Sequence, residues 1–156
     1  GIGAGQMSRV DSARIAARGF TVDATDATPA MVAKTNERFG VGARVMAFDD
    51  LAAEAEYDGV WAHASLLHCP REALPGVLAR IHRALRPGGW HFASYKLGTD
   101  EGRDSLGRFY NFPTAGWLAA QYAALPGWDH AETRHYTAGG FDNVERDWID
   151  LIVRKP

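Results

Sequence analysis

The sequence predicts an α/β domain whose sheet is doubly wound and mostly parallel, closed by an antiparallel pair of strands. Three observations carry this prediction. Short β-branched segments alternate with helical ones as far as residue 96, the pattern of a parallel sheet covered on both faces. Beyond residue 124 two strand-like segments follow one another with only the turn-rich Ala138-Gly139-Gly140 region between them, which suits an antiparallel terminal pair. Glycines ahead of the first helix, and an aspartate after the next strand, make the arrangement Rossmann-like.

Residues 9–18 read as a helix and 20–25 as a short strand. A second helix is expected at 28–39, with Pro29 in its first turn, where a missing amide is harmless. Strands follow at 43–48 and 57–62. Between 75 and 86 the apolar Leu78, Ile81 and Leu85 share a helical face, and Pro87-Gly88-Gly89 stops the helix ahead of a strand at 90–96. The polar stretch 97–113 is too long for a simple connector and reads as a lid or binding loop. A helix at 114–124 and strands at 130–136 and 147–154 complete the chain, with Trp117, Tyr122, Trp128 and Trp148 expected to pack in the core or on the sheet.

A composition of 46% hydrophobic and 23% charged residues suits one soluble domain. At this length folding buries roughly 68–70% of the unfolded chain's surface, so no disulfide or structural metal is needed. The single cysteine, Cys69, has no internal partner, which points to a reducing, cytoplasmic setting. A net charge of −2 argues against nucleic acid, and no apolar run is long enough to span a bilayer. Neither repeat nor linker interrupts residues 1–156, which read as a single domain. His63 and His68 are too few to form a metal site.

Ligands of a doubly wound sheet bind beyond the carboxyl ends of the strands. The first such segment is 1–6, expected as a loop in which Gly3, Ala4 and Gly5 let the backbone approach a ligand and turn into the helix. About 20 residues further on, Asp26 stands where a carboxylate accepts the ribose hydroxyls of a nucleoside cofactor. The same carboxylate would also serve as a cap for the helix at 28–39. These features fit two cofactors, because Gly3-Ala4-Gly5-Gln6-Met7 followed by Asp26 also resembles the nucleotide fingerprint of NAD-dependent hydroxyacyl dehydrogenases, with Ser8 in place of the third glycine.

The block Tyr57-Asp58-Gly59-Val60-Trp61-Ala62, then Ser65-Leu66-Leu67-His68, then a helix running into Arg86-Pro87-Gly88-Gly89 and a strand, resembles class I S-adenosylmethionine-dependent methyltransferases. The match runs from the second strand to the last, and a dehydrogenase fingerprint offers no reason for it. More narrowly, residues 61–68 with Ser94-Tyr95-Lys96 and Gly107-Arg108-Phe109-Tyr110 are similar to bacterial methyltransferases related to tellurite resistance. The resemblance implies S-adenosylmethionine as cofactor and a methyl group moved onto another molecule. It implies Gly3, Ala4 and Gly5 beneath the cofactor's amino-acid end, Asp26 on its ribose, Met31, Phe48 and Asp49 around its adenine, and Ala62 and His63 beside its methionine moiety. Met31 at helical spacing also reads as core, and Asp49 as a solvated turn residue. A NAD-dependent dehydrogenase fragment and a catalytically inactive methyltransferase-like binding domain are the alternatives.

The chain departs from that family at its start. It begins where the first strand should end, so most of that strand is expected to be missing. Gly1 replaces an acidic residue, and Met7 takes the place of a third glycine. Such a gap would leave an exposed sheet edge able to pair with a second copy.

Other absences narrow the acceptor. Ala62-His63-Ala64-Ser65 is no Asn-Pro-Pro-Tyr type motif, paired glutamates of the protein-arginine type are missing, and no carboxylate cluster suggests a catalytic ion. A small-molecule acceptor remains. His63 and Tyr95 are the nearest candidate bases for a hydroxyl or amine, while a thiolate would need none. Lys96, Arg108 and Tyr110 are expected to meet the acceptor under the 97–113 lid, Arg108 through its planar fork.

Overall fold

The computed structural model describes residues 2–5, 9–105, 107–125, 127–139 and 143–156, with side chains from Asp11 onward. In chain order the elements are β1 (Ile2–Gly5), α1 (Arg9–Ala17), β2 (Val22–Asp26), α2 (Pro29–Phe39), β3 (Arg44–Val45), β4 (Tyr57–Ala62), α3 (Leu74–Ala84), β5 (Leu85–Lys96), β6 (Glu101–Arg103), β7 (Phe109–Asn111), α4 (Ala115–Ala123), β8 (His130–Gly139) and β9 (Glu145–Arg154). Seven strands form one sheet in the order β3-β2-β1-β4-β5-β9-β8. Strands β1 to β5 run parallel, and β9 lies antiparallel between β5 and β8. The doubly wound sheet and its antiparallel end are therefore as expected, with the order reversing between β1 and β4.

The first strand corrects the expectation of a loop at 1–6 and of a gap beside it. Ile2–Gly5 pairs with β2 on one side and with β4 on the other. A central position satisfies the backbone donors and acceptors of the strand on both sides, and this context overrides the poor strand propensity of glycine. The edges of the sheet are β3 and β8. Residues 6–8, which lead from β1 into α1, lie outside the described residues.

Strand β3 is shorter than the expected 43–48. The Asn36 side chain clamps both backbone groups of Ala43, at 2.7 and 2.6 Å. Beyond Val45, the Ala47 amide turns to Asp50 Oδ2 at 3.2 Å and the chain enters a 3₁₀ turn, Phe48–Asp50. Strand β5, in contrast, begins before Pro87-Gly88-Gly89. Tyr57 pairs with Leu85 but Gly59 pairs with Trp90, so residues 86–89 form a bulge rather than a helix end. A side chain at Gly89 would lie 2.8 Å from the Arg86 carbonyl and 3.2 Å from that of Asp58, which is why glycine stands there.

Helix α3 buries Leu74, Val77, Leu78, Ile81 and Ala84 along one face, at the spacing of an amphipathic helix. They pack on Val60, Ala62, Ala93, Leu151 and Val153 of the sheet and on Leu118 and Tyr122 of α4. One polar chain crosses this core: His91 Nδ1 meets the Val60 carbonyl at 3.0 Å, His91 Nε2 meets the Tyr122 hydroxyl at 3.0 Å, and Tyr122 meets the Tyr95 hydroxyl at 2.9 Å. Alternation along β5 sends His91, Ala93 and Tyr95 into this layer, and Phe92, Ser94 and Lys96 to the opposite face. Among the described residues no helix is long and apolar enough to cross a membrane.

Candidate active site at the carboxyl edge of the sheet

Register places the candidate residues level with one another. Gly5 pairs with Thr25, and Ala4 with Trp61, so Gly5, Asp26 and Ala62 end their strands together on β1, β2 and β4. Asp26 Oδ1 accepts the Thr28 amide at 2.7 Å, a local turn just ahead of α2; the N-cap of that helix is Thr28 rather than Asp26. The Asp26 Oδ2 accepts no hydrogen bond among the described residues. Met31, one turn into α2, is half-buried. Phe48 packs against the main core, while Asp49 is exposed. Behind Phe48 the core leaves a cavity of about 30 Å³, room for a water rather than a purine.

The turn after β4 aims His63. Ala64 adopts a left-handed conformation, φ 51°, which costs a non-glycine residue roughly 1–2 kcal/mol. Its amide donates to Ser94 Oγ at 2.7 Å, tying the turn to β5. The His63 ring, 40% exposed, stands 6.2 Å from the Phe92 ring, and its Nδ1 is 3.1 Å from Asp11 Oδ2 on α1.

Lys96 ends β5 only 3% exposed, its Nζ 4.7 Å from the centre of the Tyr110 ring and 5.4 Å from that of Trp148. Tyr110 also meets His68, with ring centres 4.7 Å apart, and Arg108, 5.3 Å from its guanidinium carbon. Residues 97–113 are thus no irregular loop. They carry the antiparallel β6–β7 hairpin, whose Tyr110 packs with Leu67 and Trp148. Arg71 seats it: its amide donates to Glu101 Oε1 at 2.6 Å, its Nε to Asn111 Oδ1 at 3.0 Å and its Nη2 to the Phe112 carbonyl at 3.0 Å. His68 Nδ1 donates to the Phe109 carbonyl at 2.8 Å, and burial lowers the His68 pKa, which keeps the ring neutral as a structural donor.

A family model described as a methyltransferase domain matches residues 1–89, more than half of the chain. The chain belongs to this methyltransferase domain family. No curated protein sequence matches it. Among solved structures it is similar to Burkholderia thailandensis 1,6-didemethyltoxoflavin-N1-methyltransferase with bound 1,6-didemethyltoxoflavin and S-adenosylhomocysteine, at 25% identity and a TM-score of 0.74 over 99% of this chain and 70% of that one. A SAM-dependent methyltransferase of Methanosarcina mazei shares the fold at 14% identity and a TM-score of 0.82, covering 99% and 91% of the two chains. TehB from Haemophilus influenzae shares it at 12% identity and 0.72, covering 99% and 57%. Neither the fold nor these comparisons favour a dehydrogenase.

Two expected site residues of this methyltransferase are not brought to the site. Tyr95 is fully buried on the α3–α4 side of the sheet, hydrogen-bonded to Tyr122, and burial raises its pKa well above that of a free phenol. It has neither the position nor the acidity of a base. Arg108 has its fork occupied: Nε and Nη2 both donate to Asp104 Oδ2, at 2.9 and 2.6 Å, and its amide donates to Asp104 Oδ1 at 2.9 Å. It braces the hairpin turn, with its fork turned to Asp104 rather than toward His63.

Three features escaped the sequence reading: the Asp11 contact to His63, the Arg71 seat, and a partly exposed cluster linking β2, β3 and β4. In that cluster Arg44 donates twice to Asp23, at 2.8 Å each, and Tyr57 donates to the same carboxylate. The Arg44 guanidinium holds Asp23 below the usual carboxylate range, and burial together with Asp23 pushes the Tyr57 phenol up to about 12. In the sheet register Gly3 lies between Asp23 and Val60. Among the described residues no three His, Cys, Asp or Glu groups are placed to hold a metal.

Proposed function

We propose that this chain moves the sulfonium methyl of S-adenosylmethionine onto a small anionic or polarizable acceptor lying between His63 and the Lys96–Tyr110 pair. The observation that carries this reading is the alignment of Gly5, Asp26 and Ala62 at the switch point, where a doubly wound sheet binds its ligand. The residues fit that cofactor. Asp26, with Oδ1 on the Thr28 amide, would offer Oδ2 to the ribose. The adenine would lie outside Phe48, between Met31 and Asp49, since the cavity behind Phe48 is too small. The backbone of Gly3, Ala4 and Gly5 would pass beneath the amino-acid end, and Ala62 and His63 would face the methionine moiety. The related Burkholderia enzyme, with its small-molecule acceptor and S-adenosylhomocysteine bound together, supports an acceptor of this size.

When bound, S-adenosylmethionine supplies an electrophilic methyl and leaves as S-adenosylhomocysteine. The acceptor's lone pair forms the new bond to carbon as the carbon–sulfur pair returns to sulfur. His63 Nε2 takes the proton from a hydroxyl or amine acceptor; a thiolate requires no base. The protein's main contribution is alignment, which can supply roughly 7–11 kcal/mol. The hairpin excludes water, and the Lys96 ammonium, held over Tyr110 and Trp148, favours a negatively charged acceptor. A cytoplasmic setting belongs to the same proposal and rests on the one buried thiol, Cys69.

Calorimetric titration tests this reading. S-adenosylhomocysteine should bind the parent chain, NAD should not, and Asp26→Ala should weaken S-adenosylhomocysteine by about 1.5–3 kcal/mol, the worth of a charge-assisted hydrogen bond. Equal affinity for parent and variant, or binding of NAD instead, would refute it.

A further inference from the structure

We propose that Asp11 is a positioning residue for methyl transfer: it fixes the tautomer of His63, so that Nδ1 carries the proton and Nε2 is the nitrogen offered to the acceptor. The proposal rests on the methyltransferase reading above, and no sequence motif pointed to it.

The geometry begins with two elements that flank the switch point. Helix α1 follows β1, and the His63 turn follows β4, the strand paired directly with β1. Asp11 lies in the first turn of α1, where the helix favours a negative charge. Its carboxylate is 81% shielded from solvent at the side chain and approaches His63 Nδ1 at 3.1 Å. A carboxylate can only accept, so a neutral His63 must donate from Nδ1 and keep its lone pair on Nε2.

The ring is also held from its other sides. Ala64, left-handed and bonded to Ser94 Oγ, fixes the backbone immediately after His63. Phe92 stands beside the ring, stacked on Trp61 with centres 4.1 Å apart. Surface ion pairs between mobile side chains lack such a frame. Here the carboxylate sits on a helix, the imidazole on a constrained turn, and the exposed part of the ring is available to a ligand at the carboxyl edge. Orientation of a histidine through one nitrogen, to define the role of the other, is a general device of bases and metal ligands.

Nitrogen-15 NMR of the imidazoles in the 156-residue chain at pH 8 reads the tautomer without an acceptor. The parent should show His63 protonated at Nδ1 and unprotonated at Nε2. Asp11→Ala should lose this preference and gain the Nε2-protonated form, while Asp11→Asn, whose amide oxygen still accepts, should retain part of it. Affinity for S-adenosylhomocysteine, measured alongside, should stay within twofold in Asp11→Ala. A parent already protonated at Nε2, or an Asp11→Ala spectrum identical to the parent's, would overturn the proposal. A tenfold loss of S-adenosylhomocysteine affinity would overturn it too, by making Asp11 part of the cofactor seat. If the parent fails to bind S-adenosylhomocysteine while the tautomer shifts as expected, the methyltransferase reading fails and the Asp11–His63 coupling stands.

Discussion

Lowering the pH from 8 to 4 is expected to cost this protein on the order of 3 kcal/mol of stability through His91 alone. His91 is fully buried between the Val60 carbonyl and the Tyr122 hydroxyl, and burial pushes its pKa down to about 4. Unfolded, the same imidazole titrates near 6.5. Between those values the unfolded chain binds a proton that the folded chain refuses, so stability rises with pH across this window and is lost as pH falls. His68 and His82 are shifted the same way by burial and steepen the loss. Asp23, whose pKa is lowered, acts with the same sign but at more acid pH. Urea denaturation at pH 8, 6.5, 5.5 and 4.5 measures the effect. Replacing His91 with phenylalanine should lower stability at pH 8, because Tyr122 loses a partner, yet flatten the dependence below pH 6.5. A parent curve that is flat from pH 6.5 to 5 would show that His91 is not held neutral.

Most of the fold was legible because local signals agreed with one another. Pro29 in the first turn marked α2, and the β4 segment falls at residues 57–62 as expected. Asp26 was legible as the residue that ends β2 and turns the chain into α2, because a carboxylate there can accept the amide two residues on. What escaped depends on tertiary context. The strand at Ile2–Gly5 has no propensity to announce it and forms because two neighbours pair with it. The Asp11–His63 contact spans 52 residues, and Arg71 meets the hairpin 30 to 41 residues away, so no spacing rule reveals either. Side chains alternate along a strand, so Tyr95 and Lys96, adjacent on β5, face opposite sides of the sheet and cannot both meet one acceptor. Likewise Asp104, four residues before Arg108 in a tight polar stretch, was a nearer partner for that guanidinium than any ligand.

Replacing Gly98 with alanine is expected to reduce methyl transfer to the acceptor by about 10²-fold while leaving S-adenosylhomocysteine affinity within twofold. Gly98 follows β5 and receives the returning chain, its amide donating to the Pro113 carbonyl at 3.0 Å. An added methyl carbon would lie 2.6 Å from Phe112 Cβ. That atom is anchored close to the backbone, so no rotamer change relieves the overlap. Either the end of β5 or the β6–β7 hairpin must move. Phe112 stacks on Tyr110, with ring centres 5.4 Å apart, and Tyr110 in turn covers Lys96, so the movement passes to the proposed acceptor wall. A misplacement of about 1 Å in positioning groups can cost 10²-fold in rate. The proposed cofactor line at Gly5, Asp26 and Ala62 lies on other strands and should be spared. Turnover read as S-adenosylhomocysteine release, with amide hydrogen exchange across residues 100–112, checks both halves of the expectation. Exchange should quicken at the Phe112 amide, which donates to the Asp100 carbonyl at 2.9 Å. Faster exchange with unchanged turnover would mean that the hairpin covers only Trp148 and Lys96 and takes no part in holding the acceptor.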